Sequence, residues 1–230
     1  MLLKQRNVFI HKEGTRMSYG KNAGCSKLIP NAKKIFVEWD HDKTLKNFPH
    51  TCVNYDENYI YLNFIYQPFK LDRKTGHVYK TIDNDEVACD NPFEIMSIMD
   101  MLCSEKPLQL SNDWCPISYF SKFSSIGEKA ENEFYTDYIE NFSKNVTNLH
   151  KACLKLGGIE YTVNKNADVS FKINIFDFFP VVFQFWDKDD DFLPKIKILW
   201  DKNTMDYILF ETSYYVVACL LKRIKSQIEE

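Results

Sequence analysis

The sequence predicts an α+β protein: a largely antiparallel sheet with two or three packed helices, in which a strands-then-helix order is run twice. Three observations carry this. In the last third, Val169, Phe171, Ile173 and Ile175 alternate with Ser170, Lys172 and Asn174, the pattern of a strand with one dry and one wet face. Strand-like runs are grouped and then followed by helical runs, before residue 103 and again after residue 157, unlike the regular βα alternation of a doubly wound parallel sheet. The 18 Phe, 13 Tyr and 4 Trp make 15% of 230 residues, which suits strands and a large core and excludes low-complexity disorder.

Residues 1–34 hold eight basic residues and one acidic residue, a net charge of +7 that leaves −10 on the remainder. This segment reads as a basic, loosely packed N-terminal extension, with Met17 an alternative start, and residues 35–230 as a single α+β domain. A basic arm can touch nucleic acid or an acidic partner. No recognition-helix or base-stacking pattern follows it, so nucleic acid is not the expected partner.

The elements follow in order. Ile35, Val37 and Trp39 alternate as in a strand, and Asp40–Asn47 suits a short helix. Thr51–Tyr55 and Tyr59–Tyr66 read as strands separated by Asp56, Glu57 and Asn58. Phe69 and Leu71 lead into Asp72-Arg-Lys-Thr-Gly76, a hairpin loop, with Val78 and Tyr79 beyond it. Asn91-Pro92 opens a helix, with Asn as cap and Pro at the first position, and Phe93, Met96, Met99, Leu102 and Cys103 mark its buried face. One long helix is expected from Glu128 to the Gly157-Gly158 stop, because Phe134, Tyr138, Phe142, Val146, Leu149, Cys153 and Leu156 recur at steps of three or four. Four strands (Ile159–Val163, Val169–Ile175, Val181–Trp186, Lys195–Trp200) and a helix from Thr212 to Ile228 complete the chain.

The seven cysteines are widely spaced and form no C-x-x-C pair. They therefore read as free thiols rather than a disulfide framework, and no iron–sulfur or zinc motif is present. That usage, with no signal-peptide pattern, implies the cytoplasm. No apolar run approaches the length of a membrane span.

Gly-rich phosphate loops, G-x-S-x-G, H-E-x-x-H and metal-spaced histidine pairs are absent. His41, between Asp40 and Asp42, reads as part of a polar helix start. Trp114-Cys115-Pro116 matches half of a thioredoxin-type motif, but without a second cysteine it cannot cycle a disulfide, and Cys115 reads as a packed thiol. The densest feature is Trp186-Asp-Lys-Asp-Asp-Asp191-Phe192, expected to connect two strands. Its alternating aspartates suggest a calcium loop, but the glycine position holds Phe192 and the bidentate glutamate position holds Ile198, so that template fails. Should the strand ends converge, Asp168, Asp189, Asp191 and Asp201 could meet around a divalent cation or raise one another's pKa; otherwise the stretch is a solvated turn. Trp186 and Phe192 are expected to be buried anchors on either side of an exposed Lys188.

Together these residues carry a family resemblance. Asp168-Val-Ser-Phe, Phe179-Pro180, Trp186 with Asp189 and Asp191-Phe192, Leu199-Trp200-Asp201, Tyr207 and Glu211 resemble the prokaryotic DUF3786 family, a domain of unknown function. Asn112-Asp-Trp114, Phe120 and Gly157-Gly158 fit it too, over roughly residues 35–225. Members typically show Glu for Asp191, Pro for Leu193 and Phe for Trp200. The family has no assigned activity. The resemblance implies anaerobic bacteria or archaea and a setting in corrinoid and one-carbon metabolism, where relatives are joined to iron–sulfur modules that this chain lacks.

The expected function is therefore a non-enzymatic, cytoplasmic small-molecule-binding or accessory domain, with a redox or corrinoid protein as a conceivable partner and the ligand and cofactor undefined. Its expected site is an aromatic-lined pocket near Trp114 and Trp186, rimmed by Asp189, Asp191 and Asp201, and not a metal site. The alternatives are a metal-assisted hydrolase using the same acids and a purely structural interaction module.

Overall fold

A computed structural model describes residues 29–120, 124–143, 145–163, 166–190 and 192–229. The expectations for residues 1–28 and for Asp191 lie outside them. The strands are β1 (Val53–Tyr55), β2 (Tyr59–Phe64), β3 (Gln67–Asp72), β4 (Val78–Ile82), β5 (Asp85–Ala88), β6 (Trp114–Pro116), β7 (Ile159–Glu160), β8 (Val169–Phe176), β9 (Phe179–Trp186) and β10 (Lys195–Asp201). The helices are α1 (Ile29–Glu38), α2 (His41–Thr44), α3 (Pro92–Leu102), α4 (Ser124–Ser143), α5 (Val146–Lys155) and α6 (Phe210–Glu229). All ten strands join one antiparallel sheet in the order β5-β4-β3-β2-β8-β9-β10-β6, with β1 added to β2 and β7 to β8. The fold is thus α+β, with more helices than the sequence pattern indicated.

Alternation decides which face each strand buries. In β8, Val169, Phe171, Ile173 and Ile175 enter the core while Lys172 and Asn174 stay accessible. Helix α5 packs against β8 and α4 against β10, while α3 and α6 pack on each other and share the same core. Central β9 is buried on both faces from Phe179 to Phe185. Phe183 and Phe185 meet the edge of Phe142 at ring separations of 6.1 and 6.0 Å.

Two local readings are corrected. Ile35, Val37 and Trp39 belong not to a strand but to α1 and its exit, because Ala32 and Phe36 one turn apart are the buried pair and Val37 faces outward. The expected single long helix is two. Asn145 leaves helical geometry at φ −138°, and its side-chain amide donates to the Asn141 carbonyl at 2.9 Å, a local bond that competes with helix propagation. The apolar spacing hid this, because Phe142, Val146 and Leu149 keep their steps across the break. Strands β5 and β6 carry no pattern: β5 is exposed at all four residues and β6 has only three.

The end of α5 explains the Gly157-Gly158 pair. Gly157 adopts φ +70°, and a Cβ on Gly158 would lie 2.6 Å from the Cys153 carbonyl. Asn91 caps α3 as expected, accepting from the Phe93 amide at 3.0 Å.

The sheet is strongly curled. Trp114 on β6 and Tyr161, which follows β7, lie on opposite sides of β8–β9–β10, and four strand spacings would separate them by about 19 Å in a flat sheet. Yet the Trp114 indole N–H donates to the Tyr161 hydroxyl at 3.1 Å. Val182 and Leu199 share Trp114's face by register and are buried although they point away from the main core.

Candidate functional site

Asp201 ends β10 fully buried, and its carboxylate is consumed by backbone. One oxygen accepts the Ser111 and Asn203 amides at 3.1 and 2.8 Å, and the other accepts the Asn112 amide at 2.7 Å. Asn112, at φ +56°, is a residue type that tolerates this conformation. The Tyr207 hydroxyl accepts from the Gln109 amide and donates to the Gln109 carbonyl, at 2.7 and 2.8 Å. These bonds stitch the segment before β6 onto the end of β10, which sets Trp114 beside Asp201 in the ladder. Asp201 and Tyr207 are thus positioned as pins of a connection.

Trp186 and Asp189 lie at the other end of the same strand pair. Trp186 is in register with Lys195 and Trp114 with Asp201, so six residues of β10 put the two tryptophans about 20 Å apart. The candidate residues therefore divide into Trp114 with Asp201 and Trp186 with Asp189, and do not enclose one pocket. Among the described acids, Asp168, Asp189 and Asp201 do not form one cluster either. Asp168 accepts the Asp187 amide at 2.7 Å and Asp189 accepts the Phe192 amide at 2.7 Å. The acidic stretch does connect two strands, and Lys188 is exposed. The anchor expectation is corrected: Trp186 is half-buried and Phe192 is 72% exposed. Asp189 and Phe192 close the turn through their own backbone and the Asp189 side chain, so no buried ring is needed to hold it. Among the described residues, no group of three or more His, Cys, Asp or Glu is placed to hold a metal ion.

Among the described residues, Cys89, Cys103, Cys115, Cys153 and Cys219 are buried thiols. Burial pushes Cys115 up to about 11 and Cys89 up to about 12, and drives Cys153 and Cys219 upward as well, so none of these four is activated as a nucleophile. A buried ion network lies behind the first hairpin. Arg223 donates to Glu94 at 2.8 Å and to the Phe64 and Ile65 carbonyls at 3.0 and 2.7 Å, and Lys80 meets the other Glu94 oxygen at 3.2 Å. Burial is the largest influence on Glu94 and raises its pKa, but Arg223 and Lys80 override it and hold the carboxyl below its usual range.

A recess lies on the open face of the meander. It is a groove of about 340 Å³ lined by residues including Thr51, Asn54, Tyr61, Asn63, Lys70 and Asp177. The strand register builds it: Asn54, Tyr61 and Lys70 stand side by side on β1, β2 and β3. Lys70 is held by Glu86 at 2.5 and 2.7 Å, with its ammonium 4.4 Å from the Tyr59 ring centre and 5.4 Å from that of Tyr79. The Glu86 hydrogen bond raises the Lys70 pKa. Asn63 donates to Asp177 at 2.7 Å, and the Tyr61 hydroxyl donates to Asp56 at 3.2 Å. Sequence reasoning missed this groove. Its signal was the polar half of the alternation, Tyr59, Tyr61 and Asn63 against Ile60, Leu62 and Phe64, with Lys70 between Phe69 and Leu71.

An α+β domain with a largely polar groove beside Tyr61 on the outer face of its meander is therefore the class of protein these features define. The chain belongs to the DUF3786 family, described as a domain of unknown function, whose model matches residues 50–223. No curated protein and no solved structure matches it. No helix among the described residues is long and apolar enough to cross a membrane.

Proposed function

We propose that this chain is a cytoplasmic, non-enzymatic binding domain that takes a small molecule in the groove beside Lys70 and serves as an accessory protein in the family's one-carbon and corrinoid setting. The groove carries this reading. Its volume of about 340 Å³ falls within the range of small-molecule sites, and an aromatic ring with a few fixed polar groups is how such sites orient ligands. The strands that form it are held by the ladder and by Arg223 behind the hairpin, so a ligand meets a preformed surface.

Native mass spectrometry of protein purified anaerobically tests the reading. A bound non-protein mass is expected, released on denaturation and lost in Thr81→Trp, which fills the groove from exposed β4. A mass retained equally by Thr81→Trp, or an empty protein, would count against it.

A further inference from the structure

We propose that the groove's ligand is a small organic cation, an alkylammonium group seated on the Tyr61 ring beside Asp177; this rests on the binding reading above and names the chemistry it selects. The face already holds one such ion. The Lys70 ammonium sits over Tyr59 and Tyr79 and against both oxygens of Glu86, so tyrosine faces and carboxylates here stabilise an alkylammonium ion. That pairing neutralises Lys70 and Glu86 within the lining and leaves Asp177, whose partner is the neutral Asn63 amide. The Tyr61 ring, 37% exposed, remains accessible. Its hydroxyl donates to Asp56, which leans further electron density toward the ring. An anion would meet Asp177 with Lys70 already committed to Glu86. A cation meets an aromatic face and an uncompensated charge, the arrangement that recognises ammonium groups.

Three probes with the same carbon chain separate the possibilities at matched ionic strength: n-butylammonium chloride, sodium butyrate and n-butanol. The readout is the backbone amide chemical shifts of Asn54, Tyr61, Asn63 and Asp177 in the full chain. Saturable shifts are expected with n-butylammonium alone, weakened about tenfold in Asp177→Asn and in Tyr61→Ala. Both positions are exposed, and unchanged shifts elsewhere verify that each variant is folded. Saturation by butyrate or butanol instead would overturn the cation assignment while leaving the groove a binding site. A butylammonium response that persists in both variants would overturn it as non-specific attraction. Silence from all three probes would overturn it too, and the binding reading would then stand or fall on the retained mass.

Discussion

The Trp114 indole N–H donates to the Tyr161 hydroxyl across the open side of the curled sheet, with the two rings edge-on at 6.0 Å. This contact joins β6 to the residue following β7 and spans the β8–β9–β10 ladder. Lys172 lies over the same tyrosine at 5.5 Å, and Ser170 donates to the Tyr161 carbonyl at 2.5 Å. The pair holds a long-range closure rather than a local turn.

Trp114→Phe and Tyr161→Phe each keep a ring and remove one partner of the bond, so each should cost about 1 kcal/mol in urea denaturation. The double variant should cost less than the two combined, with a coupling of about 0.5–1 kcal/mol. Strict additivity would show that the rings pack without the bond contributing.

Asp201→Asn should be more severe, because a charged acceptor of three backbone amides loses its charge and one of its acceptor oxygens. The expected loss is about 2–3 kcal/mol, a Tm drop of roughly 4–12 °C for a chain this size. The folded variant should keep its n-butylammonium response, since Asp201 lies outside the groove. Loss of that response at full stability would mean Asp201 serves a ligand after all.

These pins show where sequence reading reached and where it stopped. Strands β8 and β10 were legible because one wet face enforces alternation, and the cap at Asn91 was legible because it is local. Asp201 stood out as an acid at a strand end, but its partners Ser111 and Asn112 lie some ninety residues upstream, and the sequence carries no marker of that pairing. It therefore looked available for a ligand. The groove was hidden for a related reason. Tyr61, Lys70 and Asn54 become neighbours only through the register of three strands, and none of them is unusual alone. Phe192 was misread because a large ring beside four acids suggests an anchor, whereas the turn is closed by Asp189.

Stability should depend on pH through His41. Its ring is 7% exposed, and Nε2 lies 2.7 Å from the Phe36 carbonyl near the end of α1, a bond that needs a proton on that nitrogen. Burial is the largest influence and lowers its pKa from 6.5. Between that depressed value and 6.5, the unfolded chain binds more protons than the folded one. The stability is therefore fully present above 6.5 and declines as pH falls through the window. Urea midpoints from about pH 7 down to about pH 5 should fall, and His41→Gln should flatten this limb. The depressed Glu94 carboxyl adds a separate loss at more acidic pH, below its ordinary 4.5. An unchanged slope in His41→Gln would assign the limb to another group.

Asp189 and Asp201 should give no tight metal site. They lie at opposite ends of the β9–β10 pair, and the Asp201 oxygens already accept three amides. Calorimetry with magnesium, calcium, manganese and zinc should show at best about millimolar affinity, the weak end for oxygen ligands in loops. A micromolar constant abolished by Asp189→Asn would revive the metal-assisted hydrolase.

The first hairpin should hold stored backbone strain that can be released on one side and increased on the other. Ile65 and Tyr66 form its two-residue turn at φ +48° and +59°, a conformation that costs a residue with a Cβ roughly 1–2 kcal/mol. The turn is kept in place by Arg223 on the Phe64 and Ile65 carbonyls and by the Ile65 amide donating to Ile175 at 2.7 Å. Tyr66, 66% exposed, lays its ring over Gly157, where an added Cβ would stand 3.0 Å from two ring carbons. Gly157 itself is at φ +70°. Gly157→Ala should therefore be penalised twice, by its own backbone and by the ring, for about 2 kcal/mol in total. In a Tyr66→Gly background the ring is gone, and the same substitution should cost only about 1 kcal/mol, the backbone share. Tyr66→Gly alone loses the ring contact but relieves the turn, so it should shift stability by less than about 1 kcal/mol. Urea denaturation of the four proteins measures this cycle. An equal cost for Gly157→Ala in both backgrounds would show that the Tyr66 ring does not rest on Gly157 in solution.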